Sequence, residues 1–185
     1  MDGTAAREQV LDAAERLFYG RGVQSVGMDE IRGASGVSLK RLYQLFPAKD
    51  RLVEAYLERR DLAWRQRLAD RVDRHGDPRE RILAVFDHLH EWFGEPDFRG
   101  CAWINSYGEL GAISPRVTAQ ARAHKAAFMD YLSGLVAEAG LPAATAEHLR
   151  LLAEGAMVTA GIFSTRVPAL RAREAADLLL TAAHR

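Results

Sequence analysis

The chain has 185 residues, of which 48% are hydrophobic and 27% are charged, so it can bury a sizeable core and is not a disordered, collagen-like or low-complexity protein. Its 25 Lys and Arg residues balance 25 Asp and Glu residues, and a net charge of zero argues against a protein that coats nucleic acid by bulk charge. A local basic patch is compatible with that balance.

No apolar run is long enough to cross a bilayer, and the first four residues lack the basic and apolar regions of a secretory leader. Cys101 is the only cysteine, so the sequence supports no internal disulfide. We therefore expect a cytoplasmic protein with no membrane partner.

The composition predicts an all-α fold with about nine helices, because Ala, Leu, Arg and Glu dominate and no long run alternates with a period of two. The first helix has the apolar spacing of an amphipathic helix at Val10, Leu11, Ala14, Leu17 and Phe18. A glycine, Gly20 or Gly22, is expected to end it.

Two short helices follow, one around residues 28–34 and one that Ser38 caps and that runs to about Leu45. Pro47 interrupts the chain, so we expect a three-helix domain over residues 1–47 and a larger helical domain over residues 48–185. Six helices are predicted in the larger domain, over residues 48–74, 79–93, 100–110, 115–140, 144–164 and 168–184.

The two short helices and the glycine-containing turn between them form a helix-turn-helix pattern, whose second helix lies in the major groove of DNA. Leu42, Leu45 and Phe46 can face the small core. The residues left for the outside are Leu39, Lys40, Arg41, Tyr43 and Gln44. Lys and Arg side chains donate to guanine edges or phosphates, and a glutamine pairs with adenine.

Lys49 falls in the first turn of the next helix, where backbone N–H groups favour a phosphate. Between residues 36 and 51 there are four cations, Lys40, Arg41, Lys49 and Arg51, and one acid, Asp50, so the local charge is +3. The alternative is that Lys40 and Arg41 are solvated charges on an exposed helix of a protein with no DNA role.

A larger set of residues occurs in order and at fixed spacing: Val10-Leu11-Asp12-Ala13-Ala14, Leu17-Phe18, Gly22-Val23, Met28-Asp29-Glu30-Ile31, Ala34, Gly36-Val37-Ser38, Leu42-Tyr43, Phe46-Pro47, Lys49 and Leu52. With this set, residues 7–53 resemble the N-terminal domain of the TetR (tetracycline-repressor-like) family of transcriptional regulators. The resemblance implies that Tyr43 and Lys49 hold phosphates and that the stretch from Ser38 to Gln44 meets the groove. The chain departs from the family pattern at Val26-Gly27, where a Thr or Ser often caps the second helix, and at Lys40, where a small residue is usual.

The last two predicted helices are apolar around most of their circumference, so each has to be buried on nearly all sides. We expect a second subunit to cover them, since homodimer interfaces resemble halved cores and a two-fold dimer matches palindromic half-sites. The resemblance implies the same pairing in a four-helix bundle. The expected interface residues are Leu152, Ala156, Ala160, Phe163 and Leu179. The alternative places these helices in the centre of a monomer.

Aromatic residues concentrate between the predicted DNA reader and the last two helices, with polar groups such as His88 and His90 interleaved. A mostly apolar cavity with a few polar groups is typical of a small-molecule site. The residues expected to line it are Phe86, Trp92, Cys101, Trp103, Asn105, Tyr107, Phe128 and Met157. An ordinary core is the alternative, and for any single one of them it is the more common outcome.

We expect no enzyme and no cofactor, because the sequence lacks G-x-S-x-G, G-x-x-x-x-G-K-[ST] and G-x-G-x-x-G. No metal site is expected either, because His88 and His90 are two residues apart on a helix and diverge. Cys101 is a candidate redox sensor, although a buried inert thiol is more common.

Together these patterns predict a helix-turn-helix domain followed by a ligand-binding and dimerisation domain, in a homodimeric regulator of transcription. We expect a repressor that a small apolar or aromatic ligand releases from a palindromic DNA operator, through movement of the helix over residues 48–74. The alternatives are a helical small-molecule binding protein without DNA affinity and a thiol redox sensor acting through Cys101.

Overall fold

The fold is all-helical in the computed structural model, which describes residues 3–183. Within that range the chain forms nine α-helices and no strand, and the all-α prediction is confirmed. The first four helices are α1 (Gly3–Arg21), α2 (Met28–Ser35), α3 (Leu39–Leu45) and α4 (Lys49–Val72). The other five are α5 (Pro78–Phe93), α6 (Ala102–Leu110), α7 (Pro115–Glu138), α8 (Ala144–Phe163) and α9 (Val167–Ala183). The predicted end of the last helix at His184 lies outside the described residues, as do Met1 and Asp2 of the predicted first domain.

Local signals in the sequence set several helix ends. The Ser38 hydroxyl accepts a hydrogen bond from the Arg41 backbone N–H at 3.3 Å and so caps α3. In the same way the Asp77 carboxylate accepts from the Glu80 N–H at 3.0 Å, and Pro78 occupies the first turn of α5. Gly36 ends α2 with a φ of 69°, in the left-handed region that favours glycine.

Contacts along the chain define two compact units within residues 3–183. One unit contains residues 3–62 and 102–123, and we call it the helix-turn-helix unit. The second unit contains residues 63–101 and 124–183. Both α4 and α7 therefore contribute residues to each unit, and α6 belongs to the helix-turn-helix unit.

Long-range hydrogen bonds explain why α6 and the start of α7 join the helix-turn-helix unit. The backbone N–H of Gln24, after α1, donates to the Glu109 carboxylate of α6 at 2.7 Å, and the Gln24 side chain donates to the Glu109 carbonyl. Farther along, Arg116 of α7 lies 3.3 Å from the Glu54 carboxylate of α4. Such bonds connect positions far apart in sequence, so no local pattern marks them.

The helix-turn-helix unit buries a small apolar core against α4. Its fully buried side chains come from each of its first four helices and include Val10, Leu11, Ile31, Leu42 and Leu52. On α4, Arg59 donates to Glu8 at 3.1 Å, to Asp12 at 2.7 Å and to Glu15 at 2.7 Å, all on α1. This cluster of charges holds α1 along α4.

In the second unit, α9 packs on both α5 and α8. Ion pairs also join α5 to α9, because Asp177 lies 2.7 Å from Arg79 and Asp87 lies 2.8 Å from Arg173. A Cβ added at Gly161 of α8 would lie 3.1 Å from the Gly100 Cα, so α8 approaches that segment closely.

Across residues 3–183 no helix is both long enough and apolar enough to span a bilayer.

Candidate functional site

The predicted reader helix α3 is anchored by its apolar side. Leu42 has no exposed surface and Phe46, just after the helix, is 3% exposed, while Leu45 is half-buried. Ile31 of α2 and Val37 of the turn are also buried. A seven-residue helix with this anchoring keeps one face in the core and turns the other face to solvent.

The outer face of α3 carries the residues that the sequence predicts. Leu39 and Tyr43 are 44% and 45% exposed. Arg41 is half-buried, and its guanidinium donates to the Gln44 side-chain oxygen at 3.4 Å. The exposed polar members of the set are Ser38, Lys40 and Gln44. The structure thus brings the predicted residues from 38 to 44 together on one exposed helix, with Leu42 directed inward.

Lys49 begins α4 and is half-buried. Its ammonium lies 5.9 Å from the centroid of the Phe18 ring on α1. The guanidinium of Arg7, also on α1, lies 5.5 Å from the Phe46 ring. Sequence reasoning missed Arg7 as a cation beside α3, since its position depends on how α1 packs and no local pattern signals it.

The start of α2 shows how this chain replaces the usual side-chain cap. The N-cap is Gly27, which has no side chain, and its backbone N–H donates instead to the Glu30 carboxylate at 3.0 Å. Arg21 also donates to Glu30, at 2.8 Å. Those two hydrogen bonds, first from Gly27 and then from Arg21, lower the pKa of Glu30 and keep the carboxylate ionised.

The second unit holds a cluster of aromatic rings centred on Trp64 of α4. This ring is 1% exposed and meets four others edge-on, with centroid distances of 5.2–5.8 Å, those of His88, Trp92, His124 and Phe128. Trp92 and Phe128 are predicted pocket residues, whereas Trp64 is not. Its only sequence signal is its place in the apolar stripe of α4.

The remaining predicted pocket residues are divided between the two units. Phe86, Cys101 and Met157 are buried in the second unit. The other three lie on α6 in the helix-turn-helix unit, where Trp103 is buried but Asn105 and Tyr107 are exposed. Helical spacing alone did not indicate this division, because it does not tell which unit a helix joins.

A cavity of about 200 Å³ lies within the second unit between the C-terminal parts of α4 and α5. His88 and Trp92 line it, and both residues are almost completely buried. Two ion pairs join the helices beside it, Arg67 with Glu95 at 2.7 Å and Arg71 with Glu91 at 3.2 Å. Burial, with the nearby charges of Arg67 and Arg71, lowers the pKa of His88 to about 4, so its imidazole is neutral at pH 7.

Cys101 is buried, and its sulfur accepts a hydrogen bond from the Lys125 ammonium at 3.5 Å. Lys125 also donates to Glu154 at 2.7 Å. Among residues 3–183 no three His, Cys, Asp or Glu side chains are grouped so that they could hold a metal ion.

The predicted dimer residues differ in exposure within one chain. Ala156 and Ala160 are buried, Leu152 and Leu179 are half-buried, and Phe163 is 71% exposed. Other large apolar side chains of α8 and α9 are also exposed: Leu151, Val158, Ile162 and Leu178. An apolar groove of about 520 Å³ runs between the two helices.

Comparison with known proteins supports the helix-turn-helix assignment. The family described as "Bacterial regulatory proteins, tetR family" matches residues 10–56. The HTH-type transcriptional activator FasR of Mycolicibacterium smegmatis is 34% identical over 167 residues, which cover 86% of this chain and 70% of FasR. The chain spans only 39% of the length of the first curated relatives it matches, two HTH-type transcriptional regulators of Mycobacterium tuberculosis.

Solved structures match over nearly the whole chain. A TetR-family transcriptional regulator from Streptomyces coelicolor is 28% identical with a TM-score of 0.89, and the match covers 98% of this chain and 97% of that one. A putative TetR transcriptional regulator from Streptomyces avermitilis is 33% identical with a TM-score of 0.82, over 97% and 98% of the two chains. The order of motifs, the helix-turn-helix and these matches agree, and the chain belongs to the TetR family of transcriptional regulators.

Proposed function

We propose that the chain is a homodimeric repressor that binds operator DNA through α3 and leaves it when a small ligand binds the second unit. The observation that carries the proposal is the exposed outer face of α3, with Lys40, Tyr43 and Gln44 held outward by the buried Leu42. Its action is binding rather than catalysis.

The DNA-facing roles follow from the side-chain chemistry on that face. Lys40 and Arg41 supply donors for guanine edges or phosphates, and Gln44 has the amide that pairs with adenine. Tyr43 and Lys49 supply phosphate contacts that position the helix without reading sequence. Arg7, beside Phe46, adds a further cation for the backbone.

The second copy that completes a palindromic reader would cover the exposed apolar face of α8 and α9. Phe163 and Leu178 are 71% and 72% exposed in the single chain, and several neighbours are apolar as well. Large exposed apolar surfaces on water-facing helices mark interaction sites. Palindromic half-sites lie about 34–36 Å apart, and a two-fold pair of chains presents one α3 helix to each half-site.

Ligand response requires two states with different affinities for DNA. Both α4 and α7 continue from the second unit into the helix-turn-helix unit. Within the latter, the Gln24–Glu109 hydrogen bonds tie the end of α1 to α6. A ligand that changes the position of α4 or α7 in the second unit therefore acts on helices that also belong to the helix-turn-helix unit.

The DNA proposal is tested by selecting genomic fragments that the purified chain retains and measuring affinity for them over a range of KCl concentrations. We expect a steep salt dependence, and the double variant Lys49→Ala with Tyr43→Phe should reduce the log–log slope by about one, because Lys49 no longer neutralises a phosphate. Arg122→Ala, an exposed cation on α7, is the matched control and should leave the slope unchanged. A flat salt response, or equal slopes for the double variant and wild type, contradicts the proposal.

The dimer is tested by sedimentation. Phe163→Asp together with Leu178→Asp should convert a dimer to a monomer, because each places a carboxylate on the apolar face. Leu62→Asp, at another exposed helical leucine, is the matched control and should remain dimeric. A stable wild-type monomer at micromolar concentration would refute the paired reader.

A second candidate function is a redox switch at Cys101, favoured by the Lys125 ammonium 3.5 Å from its sulfur. A nearby cation stabilises the thiolate, which peroxide oxidises to a sulfenate while the peroxide is reduced to water. If this is the signal, hydrogen peroxide should release the DNA from wild type and from a control Ser106→Ala variant, but not from Cys101→Ser. Equal release from all three excludes Cys101.

A further inference from the structure

Arg41, the third residue of α3, differs from the neighbouring Lys40 in how its side chain is held. Lys40 is exposed, whereas Arg41 is half-buried and its guanidinium donates to the Gln44 oxygen at 3.4 Å. The guanidinium also lies against the start of α1, because a Cβ added at Gly3 would be 2.8 Å from its Nη2 atom. The outer face of α3 therefore carries an arginine whose charged group has neighbours on two sides.

The arrangement requires the smallest residue at position 3. A side chain there would overlap the Arg41 guanidinium, so one of the two would have to move. The guanidinium is the end of a flexible side chain and moves at lower cost than the backbone of α1. Gly3 does not have a positive φ, so its backbone conformation does not call for glycine. What glycine provides at this position is room for Arg41.

The donors of Arg41 are mostly available. Arg59 and Arg60 of α4 bond carboxylates of α1, but no carboxylate within residues 3–183 pairs with Arg41. Gln44 accepts one of the five guanidinium N–H donors, and the others keep the planar fork that bonds two acceptors at once. The N7 and O6 atoms of guanine, which face the major groove, are such a pair of acceptors.

Two features favour a base edge over a phosphate as the partner of Arg41. A recognition helix contacts base edges with residues near its start, and Arg41 lies in the first turn of α3. A phosphate can be bound by a flexible point charge such as Lys40, whereas a two-acceptor contact with guanine needs the guanidinium in one plane. Holding that group before DNA binds lowers the entropy that the contact costs.

We propose that Arg41 reads a guanine in each operator half-site and that Gly3 and Gln44 position its guanidinium for this contact. Gly3 acts by leaving space beside α1, and Gln44 acts by accepting one N–H. The assignment rests on the proposed DNA binding by α3. It names a base that the operator contains and gives the first turn of α1, outside the helix-turn-helix, a part in sequence recognition.

The test uses the DNA fragments that the full chain retains, made as synthetic duplexes in which each guanine in turn is replaced by 7-deazaguanine. This replacement keeps the base pair and removes the N7 acceptor from the major groove. We expect one guanine in each half-site at which it weakens wild-type binding about tenfold, the loss of a two-acceptor base contact. Arg41→Ala should bind the normal and the replaced duplexes equally. If no guanine shows this dependence on Arg41, the proposal is overturned.

Gly3→Ala isolates the positioning, because it displaces the guanidinium and removes no group that bonds a base. The ratio of affinities for normal and replaced duplexes should fall to roughly threefold, because the guanidinium is held in a less suitable rotamer. The free energy of unfolding should not fall, since alanine favours a helix more than glycine does. Gly20→Ala, at the other end of α1 where an added Cβ meets nothing within 4 Å, is the matched control and should keep the wild-type ratio. Equal ratios for all three proteins contradict the role of Gly3.

Gln44→Ala tests the other positioning residue. It should lower the ratio at the same guanine that depends on Arg41, because the guanidinium loses its acceptor. A glutamine that only reads a base of its own would change the preference at a different base pair. An unchanged ratio at the Arg41 guanine therefore contradicts the role of Gln44.

The salt dependence separates this assignment from the proposed function. If Arg41→Ala lowers the log–log slope by about one and keeps the wild-type response to 7-deazaguanine, Arg41 binds a phosphate. The DNA reader then stands and the guanine assignment is overturned. If wild-type binding does not depend on salt, DNA binding through α3 fails and the assignment fails with it.

Discussion

Both compact units contain ion pairs, but among residues 3–183 the buried polar atoms without a hydrogen-bond partner concentrate in the second unit. In the helix-turn-helix unit, Arg59 bonds three carboxylates of α1, and Arg60 pairs with Glu15 at 2.7 Å while its guanidinium lies 3.7 Å from the Tyr19 ring centroid. In the second unit, the buried ring nitrogens of Trp64 and Trp92 and the Nε2 atom of His88 have no hydrogen-bond partner.

This difference affects what stabilises each unit. The ion pairs of Arg59 join α1 to α4 within the unit that carries α3. In the second unit, a polar atom buried without a partner keeps its cost of desolvation, so the stability of this unit depends on these atoms. The predictions below either break this contrast or make it quantitative.

The largest effect is expected from removing the centre of the aromatic cluster. Trp64→Ala should lower the free energy of unfolding by about 3–5 kcal/mol, because it leaves a cavity among four rings. Urea unfolding followed by circular dichroism measures the loss. Leu62→Ala, at a neighbouring leucine that is exposed, serves as the control and should change little. Equal losses for both variants would show that the cluster contributes nothing special.

The next effect is the dependence of stability on pH. His88 has a pKa of about 4 in the folded chain against 6.5 when unfolded, so between these values the unfolded state binds more protons. As the pH falls from 6.5 toward 4, the unfolded chain takes up a proton at His88 that the folded chain does not. The free energy of unfolding therefore falls by roughly 3 kcal/mol in all over this range.

The His88 contribution is isolated by comparing wild type with His88→Phe, which keeps an aromatic ring at this position. Urea unfolding at several values from neutral pH down to pH 4 should give a steeper loss for wild type than for the variant. Parallel curves would mean that His88 is not held neutral by its surroundings.

A smaller effect is expected in the helix-turn-helix unit from Arg59→Ala. Loss of the three-carboxylate cluster should cost about 1–2 kcal/mol, more than a single surface pair, and the cost should shrink at high salt. Arg171→Ala removes one fully exposed pair with Glu174 and should leave stability unchanged. A salt-independent loss would assign the effect to packing of the Arg59 stem instead.

The smallest effect concerns the helix caps, one in each unit. Ser38→Ala should lower stability by about 1 kcal/mol, while Ser38→Gly should cost only a few tenths. Asp77→Ala, which removes the cap of α5, should cost a similar amount to Ser38→Ala. Only Ser38→Ala should also weaken DNA binding, which operator affinity measured beside unfolding will reveal.

Sequence predicted those parts of the molecule that local physics determines. Ser38, Gly36 and the Asp77-Pro78 pair act within a few residues, so the helix ends they set could be found without a structure. The face of α3 was predictable for the same reason, because the period of a helix separates Leu42 from its neighbours.

The division into units could not be predicted, because it depends on bonds such as that between Gln24 and Glu109, 85 positions apart. The predicted pocket residues lie in different surroundings. Trp92 lines the cavity between α4 and α5, but Asn105 and Tyr107 face solvent on α6. Apolar spacing shows that a residue is suited to a core, whereas unpartnered nitrogens arise only from how neighbouring helices pack.

The separation of α3 into an anchored and a solvent-facing side has an evolutionary consequence. The buried contacts of this region come from Ile31, Val37, Leu42 and Phe46. Substitutions at the exposed residues therefore change the free energy of unfolding little, and these residues are Leu39, Lys40, Tyr43 and Gln44. Paralogues that keep the first group and exchange the second should therefore diverge in the promoters they recognise long before they lose the ability to fold.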